Sequence, residues 1–131
     1  MKKVTVKYQD DEYNVVLTVR QATVADGMDR GSRMAVIYSQ PFDHATATAA
    51  ERMTRYMLFQ TYPACLAVTE FVSTGTKTLD ANISPEEFLE LPDSLVFAWD
   101  QAVFDLNPHW AKSDKEEETR GEAQAPSTAK S

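Results

Sequence analysis

Two short runs at the start of the chain alternate apolar and polar residues, and this alternation restricts the possible folds more than any other feature. Val4, Val6 and Tyr8 fall on one side of an extended segment, with Thr5 and Lys7 on the other. After the polar turn Gln9-Asp10-Asp11-Glu12 the pattern resumes as Tyr13, Val15, Leu17 and Val19. A period of two marks a half-buried strand, so the pair reads as an antiparallel hairpin. An isolated hairpin is marginal in water, and its apolar face has to lie on helices. The expectation is an α+β fold, an N-terminal antiparallel β-hairpin packed on a small bundle of about four helices, with a disordered C-terminal tail.

Helix signals follow the hairpin. Thr23 with Asp26 resembles the Ser/Thr-x-x-acid start of a helix, and Val24, Met28, Gly31, Ala35 and Tyr38 then fall on one face at helical spacing, with Pro41 as the stop. Gly27 and Gly31 each cost such a helix about 1 kcal/mol relative to Ala. Either a neighbouring backbone approaches closely there, or the helix is locally weak. Ala45 to Tyr62 forms a second amphipathic helix, with Ala49, Ala50, Met53, Tyr56, Met57 and Gln60 along one side. Pro63 to Val72 reads as a short buried continuation, more helical than extended, although Val68, Phe71 and Val72 keep a strand open. Ser73 to Asn82 is a polar loop around Gly75.

The densest information lies between Ser84 and Trp110. Ser84 as cap, Pro85 at the first helical position and Glu87 closing a capping box start one short helix. From Pro92 a second helix places Leu95, Val96, Trp99, Val103 and Leu106 on one face, the expected core contact. Phe97 and Phe104, seven residues apart, fall on the opposite side with Asp93, Asp100 and Gln101 around them. Those five residues are the candidate partner-binding site, and the alternative is that both rings pack under the hairpin or another helix. Asn107-Pro108 ends the helix, and Trp110 is expected to fold back on the core. From Leu79 to Trp110 there are seven acids and no Lys or Arg, which accounts for the whole net charge of -7. An acidic, aromatic-bearing end points to protein association.

Residues 1–110 form a single expected domain, and 111–131 a disordered, polar and acidic tail that holds nothing apolar enough to offset its ordering entropy. The opening Met1-Lys2-Lys3 reaches Lys7, Asp10 and Asp11 before any apolar run develops, so no signal peptide is read and the cytoplasm is the expected compartment. Tyr62 to Val72 is interrupted by Thr69 and Glu70 and is far shorter than the roughly 20 residues of a membrane span. Without clustered Lys and Arg, neither nucleic acid nor a membrane is an expected partner.

Chemical motifs are weak. His44 and His109 lie far apart and neither has a second ligand at metal spacing. Cys65, flanked by Ala and Leu, reads as an inert buried thiol. Ser73-Thr74-Gly75 lacks the glycine pattern of a nucleophile elbow or a phosphate loop. Asp80, Asn82 and Ser84 alternate like the start of a calcium loop, but its sixth position is Pro85 and its twelfth Leu91. Asn82-Ile83-Ser84 matches a glycosylation sequon that has no use without secretion. No catalytic, cofactor-binding or metal-binding residue is assigned, no cofactor is expected, and the chain is read as not an enzyme.

The run Ser84-Pro85-Glu86-Glu87-Phe88-Leu89, then Leu91-Pro92, a helix carrying Trp99 and Val103, and the close Leu106-Asn107-Pro108-His109-Trp110 resemble the end of the small tail assembly chaperones of long-tailed bacteriophages and prophages. The similarity covers the last quarter of the ordered chain; the hairpin and the two middle helices agree in size and order. The resemblance implies a non-enzymatic assembly factor in the host cytoplasm. Such a factor binds the tape-measure protein, helps recruit tail-tube subunits and is absent from the finished particle. In many members a longer frameshifted form is also made, and Ala111 to Ser131 would correspond to the point of divergence. The alternative is a small acidic regulatory or adaptor protein, antitoxin- or inhibitor-like, acting on a basic protein partner.

Overall fold

The computed structural model describes residues 1–111. Strand β1, Lys3–Gln9, pairs antiparallel with β2, Asn14–Arg20, in the register Val4 to Val19, Val6 to Leu17 and Tyr8 to Val15. The turn between them is fixed by one carboxylate. Asp10 Oδ1 accepts the backbone N–H groups of Glu12 at 2.8 Å and Tyr13 at 2.6 Å, and these bonds, Tyr13's first, hold the Asp10 carboxyl below its usual range. The hairpin and the α+β class stand as the alternation indicates.

The sheet has a third strand. Helix α2 runs Ala49–Ala67, and after Val68 the chain extends as β3, Thr69–Ser73, which pairs antiparallel with β2 so that the order is β1-β2-β3. The expectation of a helical continuation over 63–72 therefore holds to Ala67 and fails beyond it. Local composition favours a helix, but β2 offers an unpaired edge, and Phe71 opposite Leu17 and Thr69 opposite Val19 extend its buried face. Pro63 lies inside α2 and does not end it. Its ring is buried within the run Tyr62 to Val68, all of which is core, and this packing offsets the hydrogen bond a mid-helix proline forfeits.

Helix α1, Val24–Ser39, starts at the Thr23–Asp26 capping box. Helix α2 begins four residues later than the composition suggests, because a second box, Thr48 with Glu51, fixes its start. Helix α3, Pro85–Leu89, has Ser84 as cap, with the Glu87 amide donating to Ser84 Oγ at 3.1 Å and the Ser84 amide to Glu87 Oε1 at 2.8 Å. Helix α4, Asp93–Leu106, is followed by the 3-10 turn Pro108–Trp110. The tail expected to be disordered lies, beyond Ala111, outside the described residues.

The core sits between the β1-β2-β3 face bearing Tyr13, Val15, Leu17 and Val19 and the helices α2 and α4. Trp99 is its centre. Fully buried, it donates from Nε1 to Thr69 Oγ1 at 2.8 Å and meets the Phe71 ring edge-on at 5.6 Å. Leu95, Val96 and Val103 are buried beside it and Leu106 is partly buried, as the helical spacing indicates. Trp110 folds back and is buried at 9% exposure.

Asn107 does more than stop a helix. Its buried side chain accepts the Ala22 N–H at 2.7 Å and donates to the carbonyls of Arg20 at 3.2 Å and Val103 at 3.1 Å. It ties the end of α4 to the link between β2 and α1. Gly75 is the other tight point, because a Cβ there would collide with the Glu12 carbonyl and lie 2.7 Å from the Asn14 nitrogen.

Candidate interaction surface

Helix α1 is oriented against its own apolar periodicity. Val24, Met28 and Tyr38 are 86%, 72% and 74% exposed, and Gly31 and Ala35 on the same face are exposed too. The inward positions are Asp26, Arg30, Arg33, Met34 and Ile37, of which only Asp26 and Ile37 are buried. Polar anchors decide this. Arg20 donates to both Asp26 oxygens, at 3.1 and 2.9 Å, and also to the Ala67 carbonyl at 3.1 Å. That bidentate pair fixes the first turn of α1 over the end of the sheet and holds the Asp26 carboxyl below its usual range. Further along, Arg30 reaches the Trp110 carbonyl at 3.3 Å and Arg33 the Ala81 carbonyl at 3.3 Å. With its charged side held inward, the apolar side faces solvent.

The glycines confirm that this side is open. A Cβ built on Gly27 or on Gly31 meets nothing within 4 Å, so no neighbouring backbone among the described residues approaches there. Of the two explanations offered for these residues, close approach is excluded among the described residues.

Beyond α1 lies an aromatic basin of about 280 Å³, lined by Tyr38, Phe42, Tyr56 and Phe59 with Arg52 and Arg55. Tyr38 and Phe59 are 6.0 Å apart between ring centroids. Arg55 is stacked over the Phe42 ring at 4.8 Å and donates to the carbonyls of Tyr38 at 3.1 Å and Gln40 at 3.4 Å, which closes the α1–α2 connection. The sequence does interleave aromatics and arginines on both sides of that connection, but helical period alone does not bring Tyr38 and Phe42 over Phe59.

On α4 the five candidate residues separate. Phe97 is 64% exposed, and Asp93 and Gln101, four residues to either side, are exposed with it. Phe104 is partly buried and packs against the core. Asp100 is half-buried, and burial holds its carboxyl above the usual range although a Thr61 hydrogen bond acts in the opposite sense. The outward stripe of α4 is therefore Asp93, Phe97 and Gln101, one ring framed by polar groups.

The remaining features carry little reactivity. Cys65 is fully buried, and that burial raises its thiol well above the ordinary value, opposite to what a nucleophile needs. A cleft of about 310 Å³ between Tyr13, Ile83 and Leu91 is rimmed by Lys77, Glu87 and Glu90, with Lys77 already paired to Glu12 at 3.1 Å. Among the described residues, no three His, Cys, Asp or Glu side chains converge on a metal position, and no helix is long and apolar enough to cross a membrane. Comparison with protein-family models, with curated proteins and with solved structures gives no match.

Proposed function

We propose that this chain is a non-enzymatic assembly chaperone of the phage-tail type, acting in the host cytoplasm, where it binds a long helical tape-measure protein and helps recruit tail-tube subunits. The observation that carries the reading is the orientation of α1, whose apolar face of Val24, Met28, Ala35 and Tyr38 is turned to water. A helix apolar on its solvent side is costly unless a partner covers it, and a protein that shields the apolar stripe of another helix needs such a face. Phe97, with Asp93 and Gln101, supplies a second exposed anchor on α4. The tail-specific part rests on the resemblance of Ser84 to Trp110 to the family's end.

The test is co-expression with the product of a long helical reading frame beside the gene and with the adjacent tube protein. Co-purification of the long helical protein supports the reading, and no association over a range of salt overturns it. A second reading, an acidic adaptor for a basic protein, is favoured by the exposed Glu86, Glu87, Glu90 and Asp93, with no Lys or Arg between Leu79 and Trp110. Capture of a neighbouring toxin-sized basic product instead of a tail protein selects it.

A further inference from the structure

The α1–α2 pair carries cations that have no counter-ion among the described residues. Ion pairs hold Arg20 and Arg33, but among the described residues none holds Arg30, Arg52 or Arg55. Arg52 and Arg55 line the aromatic basin, and Arg30 lies two turns before Tyr38 on α1. Arg30 of α1 and Gln60 of α2 both donate to the Trp110 carbonyl, at 3.3 and 2.8 Å, so the two helices meet at the turn that carries Trp110. Tyr38, two turns beyond Arg30 on α1, and Arg52 and Tyr56, two turns and one turn before Gln60 on α2, line the groove that opens between the helices at the aromatic basin. From Arg52 to Gln60 this is about 12 Å of helix axis, room for two to three turns of a third helix.

The arginines are held ready without being neutralised. Arg30 lies with its Cζ 4.8 Å from the Trp110 ring centroid, and its buried Nε has no hydrogen-bond partner among the described residues. Arg52 donates to the Ala47 carbonyl at 2.6 Å and Arg55 to two carbonyls, so each keeps its full charge. Among the described residues of this chain of net charge -7, no carboxylate is placed against these three groups. Gly27 and Gly31, on the α1 side of the groove, leave space in which a Cβ would touch nothing. Each weakens α1 by about 1 kcal/mol, and no contact among the described residues explains it. Aromatic walls, unneutralised guanidinium groups and a bare stretch of backbone together define the complement.

We infer that the groove between α1 and α2 receives an acidic amphipathic helix of a partner protein, its apolar residues entering the Tyr38–Phe42–Tyr56–Phe59 basin and its carboxylates meeting Arg30 and Arg52. This deepens the reading above, which requires only that some partner cover α1, by fixing the charge of that partner and the place where it lies. Charge complementarity selects the occupant, and the basin supplies the apolar contact.

The experiment uses the full chain and a fluorescent synthetic helix of about 14 residues, long enough to span the groove. It carries Leu and Phe at i, i+4 and i+7 and Glu on both flanks. A control peptide has every Glu replaced by Lys. The Glu peptide binds at least tenfold tighter than the Lys peptide, and the preference shrinks as salt rises. Arg52→Glu abolishes that preference and Tyr38→Ser weakens the Glu peptide at least tenfold. Both positions are exposed, and thermal melts of the two variants verify the fold. Gly31→Ala raises the melting temperature of the free chain while weakening the Glu peptide. Equal binding of both peptides, binding of neither, or a Glu-peptide affinity that Arg52→Glu leaves unchanged overturns the inference. Sedimentation of the chain alone identifies a second copy as the occupant if these same variants abolish a concentration-dependent dimer, which would overturn the assignment to a partner protein. If the tape-measure product still co-purifies with the Tyr38→Ser/Arg52→Glu variant, the groove assignment fails and the chaperone reading stands. If the Glu peptide binds as described and no tail protein does, the reverse holds.

Discussion

Replacing glycine by alanine at three positions should give opposite signs, and the structure states which. Gly27 and Gly31 lie inside α1, and a Cβ at either meets nothing within 4 Å. The alanine then gains the helical propensity that glycine lacks and narrows the unfolded ensemble, which is worth about 0.5–1 kcal/mol at each site. The double variant Gly27→Ala/Gly31→Ala is expected to be more stable by about 1–2 kcal/mol. In urea this raises the midpoint by roughly 0.5–1 M with the slope unchanged, because no additional surface is buried. Gly75→Ala is the internal control. Its Cβ would be driven into the Glu12 carbonyl and to 2.9 Å from the Tyr13 Cα, so the loop has to move away from the hairpin. That movement strains the Lys77 and Thr74 amide bonds to the Glu12 and Asn14 carbonyls, each 2.9 Å long, and costs about 1–3 kcal/mol. Refutation is simple to recognise. If the α1 double variant loses stability, a neighbour occupies the space beside the glycines, and the open face on which the functional reading depends does not exist in solution.

Other outcomes follow from the same geometry. Phe97→Ser should change stability by no more than about 0.5 kcal/mol because the ring is already in water, whereas Phe104→Ser, partly buried, should cost about 2 kcal/mol; urea melts of the two single variants separate surface from core. Asn107→Ala removes the acceptor of the Ala22 amide and one donor shared by two carbonyls, a loss of about 2–4 kcal/mol that lowers the urea midpoint. The two perturbed carboxylates act oppositely with pH. Asp26, lowered from 3.8 chiefly by the Arg20 hydrogen bonds, stabilises the fold above that value, and the contribution is lost as pH falls through its lower folded value. Asp100, raised from 3.8 by burial, destabilises the fold as pH climbs past 3.8 to its raised folded value. Asp26→Asn should therefore lower stability at neutral pH and Asp100→Asn should raise it, with both differences vanishing in strong acid. Stability curves measured from acid to neutral pH check the pair.

The parts of the fold that local chemistry determines were legible in the chain. Period two in Val4 to Val19 marks the hairpin, the Ser84 and Thr23 boxes mark two helix starts, and the spacing of Leu95, Trp99 and Val103 marks the buried face of α4. What was not legible depends on distant partners. Thr69–Ser73 becomes a strand because β2 has a free edge, a fact about topology and not about those five residues. The orientation of α1 follows from Arg20 pairing with Asp26 and from Arg30 reaching Trp110, eighty residues away, so its apolar period does not mark its buried side. Phe97 and Phe104 share a helical face, yet only one is well exposed, because the end of α4 is drawn in by the Asn107 latch and the turn that carries Trp110. The aromatic basin has the same character: its residues were visible, and the chain reversal that assembles them was not.

The central claim is that the outward face of α1 and the groove beside it are covered by a helical partner. Amide and methyl NMR spectra of the full chain, titrated with the purified tape-measure-type protein or its helical fragments, test it most directly. The account predicts shifts at Val24, Met28, Gly31, Ala35, Tyr38 and Tyr56, with the open sheet face at Thr5, Lys7 and Thr18 left unchanged. Shifts confined to that sheet face, or a saturating complex that leaves α1 unperturbed, would contradict it.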